Sequence, residues 1–180
     1  MKGVVFNLLE EVVTDHYGAD TWDDLLDASG LDGAYTSLGS YDDEQLEKLV
    51  SSACSALNLP RAAVLRWFGA EAMAHLARIY PVFFEPHQST RPFLTSVNGI
   101  IHPEVRKLYA GAVCPHFNFS DDGDALVMEY RSPRRLCALA EGFTEGASAH
   151  YGEAVEFEHR RCVERGDESC VFHIRWPAKP

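Results

Sequence analysis

The chain has 180 residues, of which 46% are hydrophobic and 24% charged, a composition typical of a globular domain that buries its core without disulfide bonds. Its 16 basic and 27 acidic residues give a formal charge of −11, which argues against nucleic-acid binding because phosphates attract basic surfaces. With no signal-peptide pattern and no apolar run of roughly 18–20 residues, we expect a cytoplasmic protein without a membrane segment, whose five cysteines are thiols or metal ligands.

The first half of the chain is predicted to be helical. Apolar residues recur at helical spacing in four stretches that end at Gly, Asn or Pro signals. These predicted helices cover residues 1–17, 22–28, 42–57 and 61–78. After a loop with three prolines, a fifth helix is predicted over residues 93–101, and His102-Pro103 marks a break or a new start.

The second half is predicted to contain an antiparallel sheet. Strand-like stretches separated by turn residues cover residues 115–119, 125–131, 155–162 and 169–176. Between the second and third strands, residues 136–151 are predicted to form a helix in which Gly142 and Gly146 allow close packing. The pattern as a whole predicts an α+β fold, with helices in front and a four-stranded antiparallel sheet behind.

Two stretches carry candidate binding chemistry. His102 follows two isoleucines, so it is either a ligand against an apolar wall or a core histidine with a satisfied hydrogen bond. Tyr130, Ser132 and Arg134 occupy alternate positions, so in extended backbone, which Pro133 favours, they share one face. Two hydroxyls and a guanidinium suit a carboxylate ligand, although an edge strand with a surface arginine would show the same spacing.

Together these stretches resemble the haem nitric oxide/oxygen-binding (H-NOX) family over essentially the whole chain. The resemblance rests on MKGVVFNLLEEVV at the start, GIIHPEVRKLY around His102, and the signature YRSPR. It implies a haem b cofactor whose iron is held by His102 and whose carboxylates are clamped by Tyr130, Ser132 and Arg134. It also implies that Pro115 presses on the macrocycle.

The resemblance further implies how the chain is organised around the haem. One H-NOX domain would span residues 1–180. A helical distal subdomain would cover residues 1–62, a proximal subdomain with the sheet would cover residues 63–180, and the haem would lie between them.

The residues expected near the bound gas indicate nitric oxide. Oxygen-binding members of the family carry distal Tyr, Trp and Asn donors, whereas the corresponding residues here are Leu139, Leu9 and, near the Asn position, Ala72. Val5 should also face the haem. Because bound oxygen gains negative charge and is held by a donor, the resemblance implies binding of nitric oxide, and possibly carbon monoxide, with weak or no oxygen binding. His75 lies one turn after Ala72, where it is either a distal polar group or an ordinary interhelical or surface histidine.

The same resemblance implies a sensor rather than an enzyme. Nitric oxide would break the iron–His102 bond, release the helix that carries His102 and reorient the subdomains. A separate histidine kinase or cyclic-di-nucleotide enzyme would respond to this change in trans. An enzymatic function is not expected, since the sequence has no nucleophile elbow, phosphate-binding glycine loop or carboxylate pair.

A second metal site is predicted near the C-terminus. His159 and Cys162 are three residues apart, Cys170 returns across a turn at Gly166, and Cys137 completes a set of three Cys and one His. Such a closed set suits structural zinc, and some bacterial members of the family have this arrangement. Metal-free, half-buried thiols are the alternative.

One rival family explains part of the chain. The stretch from Gly142 to Ile174 also resembles 4-vinyl-reductase-like domains, which are haem-free small-molecule sensors with a similar cysteine tail. That resemblance accounts for the cysteines but for neither His102 nor YRSPR.

Overall fold

The computed structural model describes residues 1–177. Helices begin and end where local signals dictate: Gly30 and Asn58 adopt left-handed conformations that terminate two of them, and Gly18 separates the first two. The helices of the front half are α1 (Gly3–Tyr17), α2 (Ala19–Ser29), α3 (Asp43–Leu57) and α4 (Arg61–Ile79). The four predicted helices are therefore present, with α2 three residues longer at its start.

A new helix starts at His102, which is one of the two predicted alternatives, and the backbone stays helical through His102-Pro103 without a break. Helix α5 (Thr90–Ser96) continues into a π turn (Val97–Ile101) and then into α6 (His102–Leu108). A proline lacks the N–H for the usual helical bond and crowds the carbonyl four residues earlier. The wider turn accommodates Pro103 without ending the helix.

The back half forms the predicted antiparallel sheet. Its strands are β1 (His116–Asp122), β2 (Ala125–Arg131), β3 (Glu156–Arg161) and β4 (Cys170–Arg175), arranged in the order β1-β2-β4-β3. Helix α7 (Cys137–His150) connects β2 to β3. The α+β fold with a four-stranded antiparallel sheet is confirmed.

Helices α4 and α7 pack with unusually close backbones. A Cβ atom added to Gly142 would lie 2.0 Å from the carbonyl oxygen of Arg66, and one added to Gly146 would lie 2.3 Å from that of Ala70. The two glycines that the sequence singled out are therefore required by the crossing of these helices.

Two apolar cores lie on either side of this helix pair. The first joins α1, α2, α3 and the start of α4 to Leu136 and Leu139. The second joins the inner face of the sheet to α5, α7 and Met73 of α4. Helix α4 contributes to both cores and connects the helical front of the molecule to the sheet.

Candidate functional site

His102 begins helix α6 and places its ring against the sheet. The ring stacks on Phe117 of β1, with centroids 5.9 Å apart. Its Nδ1 atom is buried and has no hydrogen-bond partner among residues 1–177. Burial, helped by the charges of Arg106 and His116, lowers the pKa of His102 to about 4. The imidazole is therefore neutral near pH 7, as a metal ligand must be. The alternative, a core histidine with a satisfied hydrogen bond, does not hold for Nδ1, because this atom has no partner among the described residues.

Tyr130 lies beside this ring. It is buried on β2, and its ring centroid is 5.6 Å from that of Phe117, so His102, Phe117 and Tyr130 form a continuous aromatic row. Burial raises the pKa of Tyr130, while contacts of its hydroxyl with the Ser132 side chain and the Leu136 backbone act in the opposite direction. The two predicted hydroxyl donors are thus adjacent.

The expectation that Tyr130, Ser132 and Arg134 share one face of a strand is wrong. Strand β2 ends at Arg131, and Pro133 and Arg134 form a turn that continues into Arg135 with φ of 52°. Proline has no N–H to donate to a ladder, which is why strand pairing ends here. Within this turn the Arg134 backbone N–H donates to the Ser132 hydroxyl at 3.3 Å, whereas the Arg134 side chain binds other residues.

Arg134 is held by two acceptors from different parts of the chain. Its Nε donates to Asp43 Oδ2 of α3 at 2.7 Å, and its Nη1 donates to the Val113 carbonyl at 2.7 Å. Asp43 also accepts from the Met1 amine at 2.6 Å. Although partial burial opposes the change, the hydrogen bonds from Met1 and Arg134 lower the pKa of Asp43. Sequence reasoning missed Asp43, because an acidic residue in the first turn of a helix has an ordinary explanation in the helix dipole.

Pro115 lies in the segment between α6 and β1. It is half-buried, two residues after Val113, whose carbonyl is bound by Arg134. The neighbouring Cys114 is also half-buried, and burial raises the pKa of its thiol.

A cavity of about 210 Å³ opens beside the turn that carries Arg134. It lies between the start of α3 and the chain that follows β2. Its lining residues are Met1, Asp43, Glu44, Leu46, Glu47, Pro133, Arg134 and Leu136. The guanidinium thus borders an open space between the helical front and the sheet-bearing part of the molecule.

The predicted gas-facing residues gather in the first apolar core. Leu9, Ala72 and Leu139 are all buried there, and the half-buried Val5 packs against them. His75, in contrast, lies between helices α1 and α4. Its Nδ1 is 3.3 Å from Glu11 and its Nε2 is 3.6 Å from Asp15, as expected for the interhelical interpretation.

Cys137, His159, Cys162 and Cys170 are brought together as predicted. One ligand atom from each lies within 4.8 Å of the others, and all three sulfur atoms are buried. Cys162 Sγ is 3.8 Å from Cys137 Sγ and 4.0 Å from Cys170 Sγ. In a tetrahedron with Zn–S bonds of about 2.3 Å, sulfur atoms lie about 3.8 Å apart. The spacing therefore already fits a tetrahedral metal.

The state of the His159 ring and of the Cys137 thiol is also compatible with a bound metal ion. The His159 Nε2 atom is buried and has no hydrogen-bond partner among residues 1–177. Burial and the two neighbouring thiols raise the pKa of Cys137. A bound cation would act against this shift at Cys137 by stabilising the thiolate. The cluster can hold a metal ion.

Comparison with known proteins assigns the family. A model of the family described as haem-NO-binding matches residues 2–159. The chain belongs to the H-NOX family. Members of this family are haem-binding gas sensors. Both features that the sequence suggested, the His102 stretch and the YRSPR signature, lie within the matched residues.

Solved H-NOX structures match nearly the whole chain. An H-NOX protein from S. oneidensis in the Fe(II)NO ligation state is 30% identical, with a TM-score of 0.92 and coverage of 98% of this chain and 99% of that one. The Shewanella oneidensis H-NOX domain in the Fe(II)CO state is 30% identical, with a TM-score of 0.89 and coverage of 99% and 100%. An unliganded Fe(II) H-NOX protein from K. algicida is 24% identical with a TM-score of 0.87, covers 99% and 98%, and supports the fold alone.

A helix that crosses a bilayer needs roughly 20 mainly apolar residues, and none of the helices among residues 1–177 meets that requirement.

Proposed function

We propose that this H-NOX chain binds haem b through His102 and senses nitric oxide. The observation that carries the proposal is the His102 ring, which is neutral, stacked in place on Phe117, and has a buried nitrogen without a partner. A neutral imidazole is the form that ligates iron. His102 would hold the haem through its neutral imidazole, and the bound haem would supply a ferrous iron that can bind a diatomic gas.

The carboxylates of the haem would be held by Tyr130, Ser132 and Arg134. Two hydroxyls and a guanidinium provide charge-assisted donors for them. Arg134 already binds Asp43 and Val113 through Nε and Nη1, so its remaining amine and its positive charge are what it offers to a ligand. Pro115, two residues beyond Val113, would press on the macrocycle.

The selectivity for nitric oxide would come from what surrounds the gas. Val5, Leu9, Ala72 and Leu139 offer no hydrogen-bond donor from their side chains, and His75 is engaged with carboxylates between α1 and α4. A polar donor slows the escape of oxygen but is not needed for nitric oxide. We infer strong binding of nitric oxide, binding of carbon monoxide, and weak or no binding of oxygen.

Spectra of purified protein produced with haem supplied test this proposal. The ferrous protein should be coloured, bind nitric oxide and carbon monoxide, and form no stable oxygen complex in air. His102→Gly should lose axial ligation and regain it with added imidazole, whereas His116→Gly, an exposed histidine nearby, should behave as the unaltered protein. A colourless protein would refute haem binding and favour the 4-vinyl-reductase-like alternative. A stable oxygen complex would refute the selectivity alone.

The sensor would transmit its signal through helix α6, which carries His102. We propose that release of His102 frees α6, changes the orientation of a distal subdomain (residues 1–62) relative to a proximal one (residues 63–180), and regulates a cytoplasmic histidine kinase or cyclic-di-nucleotide enzyme in trans. The interlocked α4 and α7 would carry the change between the two cores. Mixing the purified sensor with each class of enzyme, with and without nitric oxide, tests the partner, and a response unaffected by His102→Gly plus imidazole would refute the switch.

We also propose that Cys137, His159, Cys162 and Cys170 bind one structural zinc ion. The sulfur spacing and the unpartnered His159 nitrogen support it. Protein purified without chelator should contain one zinc per chain, and Cys170→Ser should lose the zinc and melt at a lower temperature. Cys54→Ser, a cysteine on α3 outside the cluster, is the control. Full stability of zinc-free protein would refute a structural role.

A further inference from the structure

Asn98 lies on the π turn, four residues before His102, and binds the backbone of one sheet residue. Its side-chain Nδ2 donates to the carbonyl oxygen of Phe117. Its Oδ1 accepts from the N–H of the same residue at 3.4 Å. A side-chain amide carries the same donor and acceptor as a peptide group, so Asn98 pairs with Phe117 as a neighbouring strand would.

This pairing takes place on a free edge of the sheet. Strand β1 is the outermost strand in the order β1-β2-β4-β3, and Phe117 faces Tyr130 of β2 on its other side. Backbone groups on such an edge otherwise meet water or another chain. The amide of Asn98 satisfies both groups of one residue and attaches the π turn to β1 at a single point, which we call the Asn98 clasp.

The π turn needs an external attachment because its internal bonding is altered. The N–H of His102 bonds to the Val97 carbonyl five residues earlier rather than to the carbonyl four residues earlier. Pro103 has no N–H at all, and Gly99 has open space where a side chain would be. The backbone that carries His102 is therefore set by a wide turn, a feature often found at functional sites, and by the contacts of that turn with β1.

Phe117 contacts both the π turn and the His102 ring. Its backbone takes the Asn98 amide and its ring stacks on the His102 ring. The position of the π turn and the orientation of the imidazole thus both depend on contacts with Phe117. A shift of the turn along the strand edge would move His102 relative to Tyr130 and the turn that carries Arg134.

We propose that Asn98 is a positioning residue for His102: the Asn98 clasp holds the π turn on the edge of β1 and fixes the direction in which the His102 imidazole meets the haem iron. This inference rests on the proposed haem function. Asn98 is not assigned any contact with haem or gas. Its role is to limit how the iron ligand can turn, as residues that orient metal ligands do elsewhere.

Three variants separate positioning from general loosening of the strand. Asn98→Ala removes the clasp. Asn98→Asp keeps the shape and the acceptor for the Phe117 N–H but places a carboxylate oxygen against the Phe117 carbonyl. Asn118→Ala is the matched control, because Asn118 lies on the same strand and binds Glu129 rather than the π turn.

Three measurements apply to each variant. Resonance Raman of the unliganded ferrous protein reports the iron–histidine stretch, and transfer of haem to an acceptor protein reports its rate of loss. Amide hydrogen exchange over residues 97–108 of the haem-free protein reports the clasp without any haem. Both Asn98 variants should lower the stretching frequency, speed haem loss by about tenfold or more, and speed exchange in the π turn, while Asn118→Ala should leave all three unchanged.

The outcomes distinguish the two proposals. If the unaltered protein binds haem and the Asn98 variants keep its stretching frequency and haem-loss rate, the positioning role is refuted and the haem function stands. Equal effects of Asn98→Ala and Asn118→Ala would also refute it, because they would reflect a loosened strand. If the unaltered protein binds no haem, the proposed function fails and the positioning role fails with it.

Discussion

Buried polar atoms without hydrogen-bond partners among residues 1–177 include one nitrogen from each of the two candidate metal-binding histidines, His102 and His159. Among residues 1–177, four such side-chain atoms occur, and three of them are histidine nitrogens. The nitrogen of His173 still has the Asp122 carboxylate at 3.3 Å, whereas those of His102 and His159 have no such neighbour among the described residues. Leaving a buried polar group unpaired costs about 1–3 kcal/mol, so both sites stand to gain from a bound metal.

The substitution Asp43→Asn tests the salt bridge between Arg134 and the helical front. The substitution removes the negative charge that faces Arg134 and the Met1 amine, and we expect a loss of about 0.5–1 kcal/mol, because the pair is partly exposed. Chemical denaturation of the haem-free protein measures this. Asp42→Asn, which changes the preceding acid, should have a smaller effect, and equal losses would show that the effect is one of net charge.

Among the secondary structure elements, the α4–α7 pair leaves no space for added atoms at its crossing. Gly142→Ala would place a Cβ atom 2.0 Å from the backbone oxygen of Arg66, which cannot move as a flexible side chain would. We expect the helices to separate and stability to fall by about 1–3 kcal/mol. Thermal denaturation compared with Gly99→Ala, where the added atom meets open space, measures the difference. Similar melting temperatures for both variants would contradict the close packing.

The sheet illustrates a different constraint on elements. Strand β2 ends at Arg131, the second residue of the YRSPR signature. Only Tyr130 of the three candidate residues therefore lies on the strand. The alternate spacing predicted that the three side chains share one face of an extended segment. That geometry is not observed, because Pro133 and the left-handed Arg135 turn the chain instead of extending it, and a joint role of the three residues stays a prediction.

For the whole molecule, acid should destabilise the haem-free protein in two separate pH ranges. The pKa of His102 is about 4 in the fold and 6.5 when unperturbed, so the unfolded chain binds a proton that the native ring rejects. Stability should therefore fall as the pH drops from about 6.5 to 4, by about 2 kcal/mol. Hydrogen bonds from Asn118, Arg131 and Ser169 lower the pKa of Glu129 to about 2, so its contribution is lost below about 4.5.

Denaturation at a series of pH values measures both ranges. His102→Gln should reduce the loss between pH 6.5 and 4, to which the lowered pKa of His159 also contributes, and should leave the loss at lower pH unchanged. Glu129→Gln should reduce only the loss at lower pH. His116→Gln is the control for the first range, because its ring is exposed. A loss between pH 6.5 and 4 that is unchanged by His102→Gln would contradict the assignment to His102.

Much of this molecule can be inferred from the sequence because the signals are local. Helical periodicity, turn residues and alternation indicated the helices and strands within a few residues, since each depends on neighbours along the chain. The cysteine cluster was also predictable, because His159, Cys162 and Cys170 lie on adjoining segments and Cys137 begins the helix that precedes them. The family followed from two short motifs.

Other features exist only after distant segments meet. The salt bridge from Arg134 to Asp43 joins residues 91 positions apart, and the Asn98 clasp joins a helix to the free edge of a strand. Neither residue type nor spacing marks such pairs, because an aspartate in a first helical turn and an asparagine in a helix each have ordinary local explanations. The sequence by itself determined the elements and the candidate ligands, and the tertiary structure decided which residues orient them, since orientation depends on contacts across the fold.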